Sequence, residues 1–469
     1  MANGWMGLNT ALSGLRAAQQ MLDISAHNIA NASTPGYSRQ RAQLVASAPF
    51  SLPAFNRSGL PGQLGTGVTI TSIYRIRDAF LDGQISEQVA AAGYWSTRGD
   101  ILSAVDAAFP EPSGSGMGTA LSRFWSAWED VAADPGSSAA RMSVISETQT
   151  LAARFVRDSG QLGSLVSSAD SEVRGAIAQV NDLATRIASL NKQIQGVVVA
   201  GDHANDLEDQ RDALVQELNG LVPAQSIRQA DGTVQVLVGG TDLVDHDLTR
   251  TVQAVDDAAG HAVPTWASGG AVDLSGGKLR GLVELRDTTL AGYVDNLNAL
   301  AKQIADAVNT AHTSGVDSAG NPGLPLFTCI AGSEAATLAI NPAIGTNPSL
   351  IVTATSAGLP GDASIAAQIA DLRTASIFGT GTQTPSDAYA AFIGHVGTDS
   401  RQAQELAANQ ALVVEQLQTR RESISGVSLD EEATDVIRFQ QAYSASARVI
   451  TAIDQMLDTL INRTGRVGL

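Results

Sequence analysis

A single cysteine, Cys329, stands in 469 residues. That excludes an intrachain disulfide framework and a cysteine-based zinc site, and Cys329 itself reads as a small buried apolar residue. Aromatic residues are scarce, at 4%. The cores are therefore expected to rest on Ala, Val, Leu and Ile packed along helices, which favours long thin bundles over broad globules. Positive charge is also short: 29 basic against 47 acidic residues leave a net charge of -18 and a pI near 4.6. Such a chain is repelled by a phosphate backbone or an anionic lipid surface, so nucleic acid is not an expected partner. No run approaches the roughly 18 apolar residues of a membrane span, and the N-terminus lacks a basic region followed by an apolar block. Membrane insertion is not expected, and the chain reads as cytosolic or as exported without a cleaved signal.

Chemistry-bearing patterns are equally thin. His27, His203, His246, His261, His312 and His395 lie far apart without the paired spacing of a zinc site. Gly114-Ser115-Gly116-Met117-Gly118 lacks the lysine and the strand-to-helix setting of a phosphate cradle and reads as a flexible linker. The sequons at Asn31, Asn56 and Asn462 are short enough to arise by chance. No catalytic, cofactor-binding or metal-binding residues are expected.

What is present is helical periodicity. From Trp5 to Asn31, Leu8, Leu15, Leu22 and Ile29 recur at seven, with Ala11, Leu12, Ala18 and Ala26 widening the stripe. Thr34-Pro35-Gly36-Tyr37 then reads as a tight turn, because Pro sets φ at the second position and Gly permits positive φ at the third. Residues 38 to 75 suggest extended or short-strand structure. Helix returns over 79–109, 121–131 and 141–158. A coiled-coil-like helix is predicted around Val173, Val180, Ile187 and Ile194, with an antiparallel partner over 206–222. Alternation as in Val234-Gln235-Val236-Leu237-Val238 predicts a β-rich insert. One helix is expected over 279–312 and a strand at 350–355. A last helix pair is expected over 386–424 and 428–462, with Ser428 and Glu431 as a capping box. The neighbouring Asp430, Glu431 and Glu432 read as acids complementing a helix N-terminus.

The expected architecture is mainly α with a β insert: an elongated multi-domain chain whose N- and C-terminal helices pair as a coiled-coil-like terminal domain beside an α-helical bundle and a small β-rich domain. In chain order the segments are 1–75, an N-terminal axial helix and extended segment; 76–222, the first part of a helical bundle; 223–277, the β-rich insert; 278–314, more bundle; 315–384, turn- and β-rich; 385–424, the last of the bundle; and 425–469, a C-terminal axial helix. The C-terminal seam is Leu429, Val436, Tyr443, Ile450 and Leu457, with Phe439, Ile453 and Leu460 alongside. Bringing the ends together closes a loop of about 400 residues at roughly 5 kcal/mol beyond the constant term. Ordering some ~60 residues costs about 1 to 2 kcal/mol each before hydrogen bonds and burial offset it. A dozen buried side chains at about 1.5 to 3 kcal/mol return part of that. The two apolar faces are thus expected to stay unsatisfied in a lone molecule and to order when sister subunits stack.

Ala11-Leu12-Ser13-Gly14-Leu15, Asn28-Ile29-Ala30-Asn31 and Thr34-Pro35-Gly36-Tyr37 at one end, with Ser425-Gly426-Val427-Ser428-Leu429-Asp430-Glu431-Glu432 and Gln441-Ala442-Tyr443 at the other, resemble the flagellar axial family, which includes rod, hook and junction proteins. Asp206-Leu207-Glu208-Asp209-Gln210-Arg211-Asp212 with Leu214-Val215 is similar to its hook–filament junction members. The resemblance is dense over about 1–75, 170–240 and 385–462. His27, usually another polar residue, and the extension Arg463 to Leu469 depart from the pattern. The resemblance implies a non-enzymatic, self-assembling structural subunit of the bacterial flagellum, extracellular, exported through the flagellar type III channel without signal cleavage. Its implied partners are copies of itself, the hook protein, a second junction protein or flagellin-side component, and an export chaperone at the C-terminal helix. The implied assembly interface is Leu8, Leu12, Leu15, Leu22, Asn28, Ile29, Asn31, Pro35, Gly36, Tyr37, Leu429, Val436, Phe439, Tyr443, Ile450, Ile453, Leu457 and Leu460. Hook or distal rod is the nearest rival, and a hook protein would be mostly β between its ends. A secreted enzyme with flagellar-type ends is the rival from another class, and no paired-carboxylate cleft can be singled out for it.

Overall fold

The computed structural model describes residues 2–50, 64–111, 113–114, 116–359 and 361–463. The sequon at Asn56, Ser115 of the Gly/Ser stretch and the tail 464–469 lie outside the described residues. Helix α1 runs from Ala2 to Asn31. The turn that follows has Tyr37 N–H donating to Thr34 O at 3.2 Å and Gly36 at φ +80, the conformation for which glycine was expected there. The extended segment becomes a hairpin, β1 (Gln40–Ala46) antiparallel to β2 (Val68–Arg75), in register from Gln40 opposite Arg75 to Ala46 opposite Val68.

The body begins with α2 (Ala79–Ala108), capped by the Asp78 carboxylate accepting the N–H groups of Phe80 and Leu81, and α3 (Met117–Ala133). The stretches expected over 141–158 and around 173–194 are one helix, α4 (Ser138–Val199), of 62 residues and about 90 Å. The intervening glycines and serines weaken helix propensity but include no proline. Ser164, Ser167 and Ser171 return their hydroxyls to carbonyls four residues back, while Leu162 and Ala169 hold the buried face. Helix α5 (Asn205–Leu221) folds back on α4 as expected.

The β-rich insert holds a four-stranded antiparallel sheet of β3 (Ala224–Arg228), β4 (Val234–Val238), β5 (Thr241–Asp245) and β6 (Leu248–Thr249), in chain order, and a hairpin of β7 (Val252–Asp256) and β8 (Ala262–Trp266). The helix expected over 279–312 is present as α6 (Gly277–Glu284) and α7 (Ala291–Thr313), joined without a break by a wider π turn at Leu285–Leu290. In that turn the buried Arg286 donates to Asp170 at 2.6 Å and to Ala262 O at 2.9 Å, tying α7 to α4 and the insert.

No strand forms at 350–355. Ile351 and Val352 are buried, but their backbone groups are taken by side chains: Arg141 donates to Ile351 O at 2.6 Å, and Val352 N–H donates to Nε2 of His312 at 3.0 Å. Short elements fill the surrounding segment: β9 (Phe327–Thr328) paired with β10 (Ala339–Ile340), α8 (Glu334–Thr337), α9 (Pro342–Thr346) and α10 (Ser364–Asp371). Cys329, expected to be buried, is exposed just after β9. Helices α11 (Pro385–Ser425) and α12 (Leu429–Asp458) close the chain, with a π turn at Thr459–Arg463.

Two cores result. One gathers α3, the first half of α4, α7, α10 and the start of α11. The second lies between the second half of α4, α5, α6 and the β insert. The few aromatics are not spread thinly: Phe124, Trp125, Trp128, Phe155 and Phe327 are fully buried together in the first core, where Phe124 and Trp125 meet edge-on at 4.7 Å. The architecture is the expected one, mainly helical with small antiparallel sheets.

Candidate assembly interface and its polar node

Helices α1 and α12 pack along most of their length. A Cβ built on Gly7 would stand 3.3 Å from Ile453, and one on Gly14 3.2 Å from Ser446, while Asn28 hydrogen-bonds Glu432. The pair is therefore antiparallel, and the two residue numbers of each contact add to 460. The ends that were expected to stay unsatisfied in a lone molecule thus cover one side of each other within a single chain.

The line of closest approach on α1 is not the leucine stripe. It passes through Gly7, Ala11, Gly14, Ala18, Ser25 and Asn28, small residues that let the helix axes draw near, and Ala11, Ala18, Ser25 and Asn28 are buried. Leu8, Leu12, Leu15 and Leu22 flank that line half-buried, and Ile29 is exposed. On α12 the buried positions are Glu432 and Ile453; Val436, Phe439, Ile450 and Leu457 are half-buried, and Leu429 and Tyr443 are exposed, as is Leu460 in the π turn that follows. Beyond these, Ile437 is 60% exposed and Met456 57%, so the pair keeps an open apolar side. Of the turn residues, Pro35 and Gly36 are exposed and Asn31 and Tyr37 half-buried.

At the inner end of the pair lies a polar node. Asn28 donates to Gln40 O at 3.1 Å and to Glu432 at 3.2 Å, and its carbonyl accepts from Gln40 N–H at 3.0 Å and the Tyr37 hydroxyl at 2.8 Å. Arg39 donates through Nε to Glu432 at 2.6 Å and through Nη1 to Glu431 at 2.5 Å, while its backbone N–H reaches Ser425 O at 2.8 Å. The expected capping box is therefore half present. Ser428 accepts the Glu431 N–H, but the Glu431 carboxylate turns to Arg39 instead of back to the cap. Glu432, read as a helix-end acid, is 2% exposed and belongs to the node. Burial alone would lower the Arg39 pKa, and the Glu431 and Glu432 carboxylates more than offset it.

The node continues into α5. Ser38 donates its N–H and hydroxyl to Asp209, both at 2.8 Å, and Gln40 donates to Asp206 at 2.7 Å. Arg75 donates to Asp209 at 2.5 Å and Asp212 at 3.0 Å, and also pairs with Glu208. Burial pushes the Asp209 carboxyl above its ordinary range despite Arg75, and pushes the Tyr37 phenol well above its own, with Asp206, Asp209 and Glu432 adding to the shift. His27, the departure noted in the sequence, sits 3.3 Å from Asp206 and meets the Tyr37 ring edge-on. The acidic run 206–212 thus anchors the terminal pair to the body. Arg39 and Arg75 escaped the sequence reading, and Glu432 was read there in another role. Their one local signal was an arginine beside a glycine turn, and their partners lie more than a hundred positions away.

Residues 102–327 match the helical domain of the flagellar hook-associated protein FlgK, 8–37 the flagella basal body rod protein family, and 420–463 the C-terminal region of flagellar basal body rod FlgEFG proteins. Along its whole length the chain is 31% identical to all of flagellar hook-associated protein 1 of Bacillus subtilis (strain 168). It is 27% identical to the same-named protein of Salmonella typhimurium, over 97% of this chain and 99% of that one. The solved flagellar hook junction protein FlgK from Burkholderia pseudomallei, 18% identical, superimposes with a TM-score of 0.66 over 73% of this chain and 100% of its own.

Proposed function

The chain belongs to the flagellar hook-associated protein 1 family, and on that premise we propose that the α1–α12 pair is the contact through which it assembles as the structural joint between hook and filament. Helix makes up 64% of the described residues, in agreement with a junction subunit, where a hook protein would be mostly β between its ends. One observation carries the assembly reading: after α1 and α12 have covered each other, Ile437, Val449 and Met456 still stand exposed along α12. A helix draws most of its stability from packing its apolar face, so a pair covered on one side firms up when a neighbour covers the other. Head-to-tail contacts between copies that do not close on themselves build helical stacks, and a short stack forms a layer.

The partners this reading requires are copies of the chain, the hook protein below, a second junction protein or flagellin-side component above, and an export chaperone that holds α12 before assembly. Export precedes assembly and proceeds through the flagellar type III channel without signal cleavage, so the working subunit is extracellular. The relatives are structural proteins of the flagellum, and the role proposed is structural, without catalysis. Ile437→Asp with Met456→Asp should leave the body folded and the subunit exported, yet abolish retention at the hook tip and filament growth. Filaments growing normally on the double variant would overturn the reading.

A further inference from the structure

We propose that Asn28 and Glu432 set the register of the terminal helix pair, an inference that rests on reading that pair as the assembly contact. The α1 side of the rest of the seam does not distinguish one register from the next. Leu8, Leu15 and Leu22 repeat at seven, and so does the close-approach line, Gly7 with Gly14 and Ala11 with Ala18. A slip by seven residues, about 10.5 Å along the helix, therefore presents the same kind of α1 residue to α12 over the outer part of the pair. The three-residue link Gly426-Val427-Ser428 reaches about 10 Å and is extended at Gly426 and Ser428, so it opposes a slip that draws α12 away from α11 but not the opposite one.

The repeat breaks at the inner end, where the line turns polar and buried. In the observed register every hydrogen-bonding group of the Asn28 side chain is engaged, one of them with Glu432. Since facing residues add to 460, a slip one way sets Glu432 against Met21, and the other way sets Asn28 against Phe439. Either leaves a buried polar or charged group without its partner, the arrangement that proteins tolerate least. A polar residue at one core position of an apolar seam is an attested way to fix register. The consequence for assembly is geometric: stacking subunits must all project their helix ends by the same length, and a slip would displace one end by roughly a quarter of a 30-residue helix.

Disulfide trapping in the full-length soluble subunit tests this, with the native thiol removed by Cys329→Ser. Gly14→Cys is combined in turn with Ser446→Cys, which reports the observed register, and with Phe439→Cys or Ile453→Cys, which report the two slips. With Asn28 and Glu432 intact, the 14–446 pair should oxidise and the others stay at background. In N28L/E432L at least one slipped pair should rise by about tenfold, whereas E432Q, which keeps an acceptor for Asn28 though not the countercharge of Arg39, should keep both slipped pairs at background. Slipped pairs at background in N28L/E432L, with 14–446 intact, would mean that the link sets the register and would overturn the proposal. Loss of all three disulfides would also overturn it, because the node would then hold the pair together without selecting among registers. The readout is independent of stacking: filaments growing on the Ile437→Asp, Met456→Asp variant would sink the assembly reading and leave this result standing.

Discussion

Arg39 and Glu432, 393 positions apart, meet with Nε 2.6 Å from the carboxylate, and both side chains are almost wholly out of water. Removing one member of such a pair leaves the other buried without its countercharge, which costs about 3 to 5 kcal/mol. Arg39→Met should therefore loosen the terminal pair while sparing the body. Limited proteolysis should cut within α12 far faster than in the parent, at an unchanged body melting temperature. Arg39→Lys should fall between the two, because a lysine cannot fork to Glu431 and Glu432 together.

Glycines divide by what lies over them. A Cβ on Gly93 in α2 would stand 2.2 Å from the carbonyl oxygen of Gly220 in α5, so Gly93→Ala must push two backbones apart. It should destabilise by about 1 to 3 kcal/mol, although Ala in an open helix position gains about 0.5 to 1 kcal/mol. Gly160→Ala in α4, where nothing lies within 4 Å, should show that gain. Thermal unfolding of the two variants would decide, and equal shifts would argue against the close α2–α5 contact.

His312 ties α7 to the segment after α9. Its Nδ1 lies 2.6 Å from Leu324 O, so it carries the proton, and Nε2 accepts Val352 N–H. Burial brings its pKa down to about 4. Between about pH 6.5, the unfolded value, and 4, the unfolded chain binds a proton that the folded chain refuses, so this group's contribution falls with pH, by up to ~3 kcal/mol. Asp158, raised by burial to about 6, works in the opposite sense: the folded state holds its proton over about pH 4 to 6, and stability gains as pH falls. Denaturant melts at pH 4.5 and 6 should show His312→Leu less acid-sensitive than the parent and Asp158→Asn more so. The same shift in both would contradict this assignment.

Cys329 is exposed, yet partial burial and the carboxylates of Glu334 and Asp306 raise its thiol pKa. The thiolate is the reactive form. Alkylation at pH 7 should be slower than for a free cysteine, and Cys329→Ser should leave the melting temperature unchanged. Alkylation faster than free cysteine would refute the raised pKa.

The helices at both ends, the turn at Gly36, the two stretches of the long central helix with their α5 partner and the β insert were legible because each is a local pattern, a repeat of seven or of two, or a proline before a glycine. The strand expected at 350–355 failed for the opposite reason. Its apolar run is real and buried, but His312 and Arg141 claim its backbone from 40 and 210 positions away. The capping box failed likewise, since Glu431 has a better partner in Arg39 than its own helix end.

Sequence by itself determined that α1 and α12 carry apolar stripes, that α1 stops at Asn31 and that α12 starts after Ser428, because side-chain periodicity along a helix depends only on neighbours a few residues away. Only the tertiary structure decided that small residues rather than leucines form the line of contact, that the pair runs antiparallel, and that Asn28, Arg39 and Glu432 lock its inner end. Those outcomes depend on which of many similar faces meet and on which charges lose their water together. Both are settled by packing the whole chain, between groups separated by hundreds of residues.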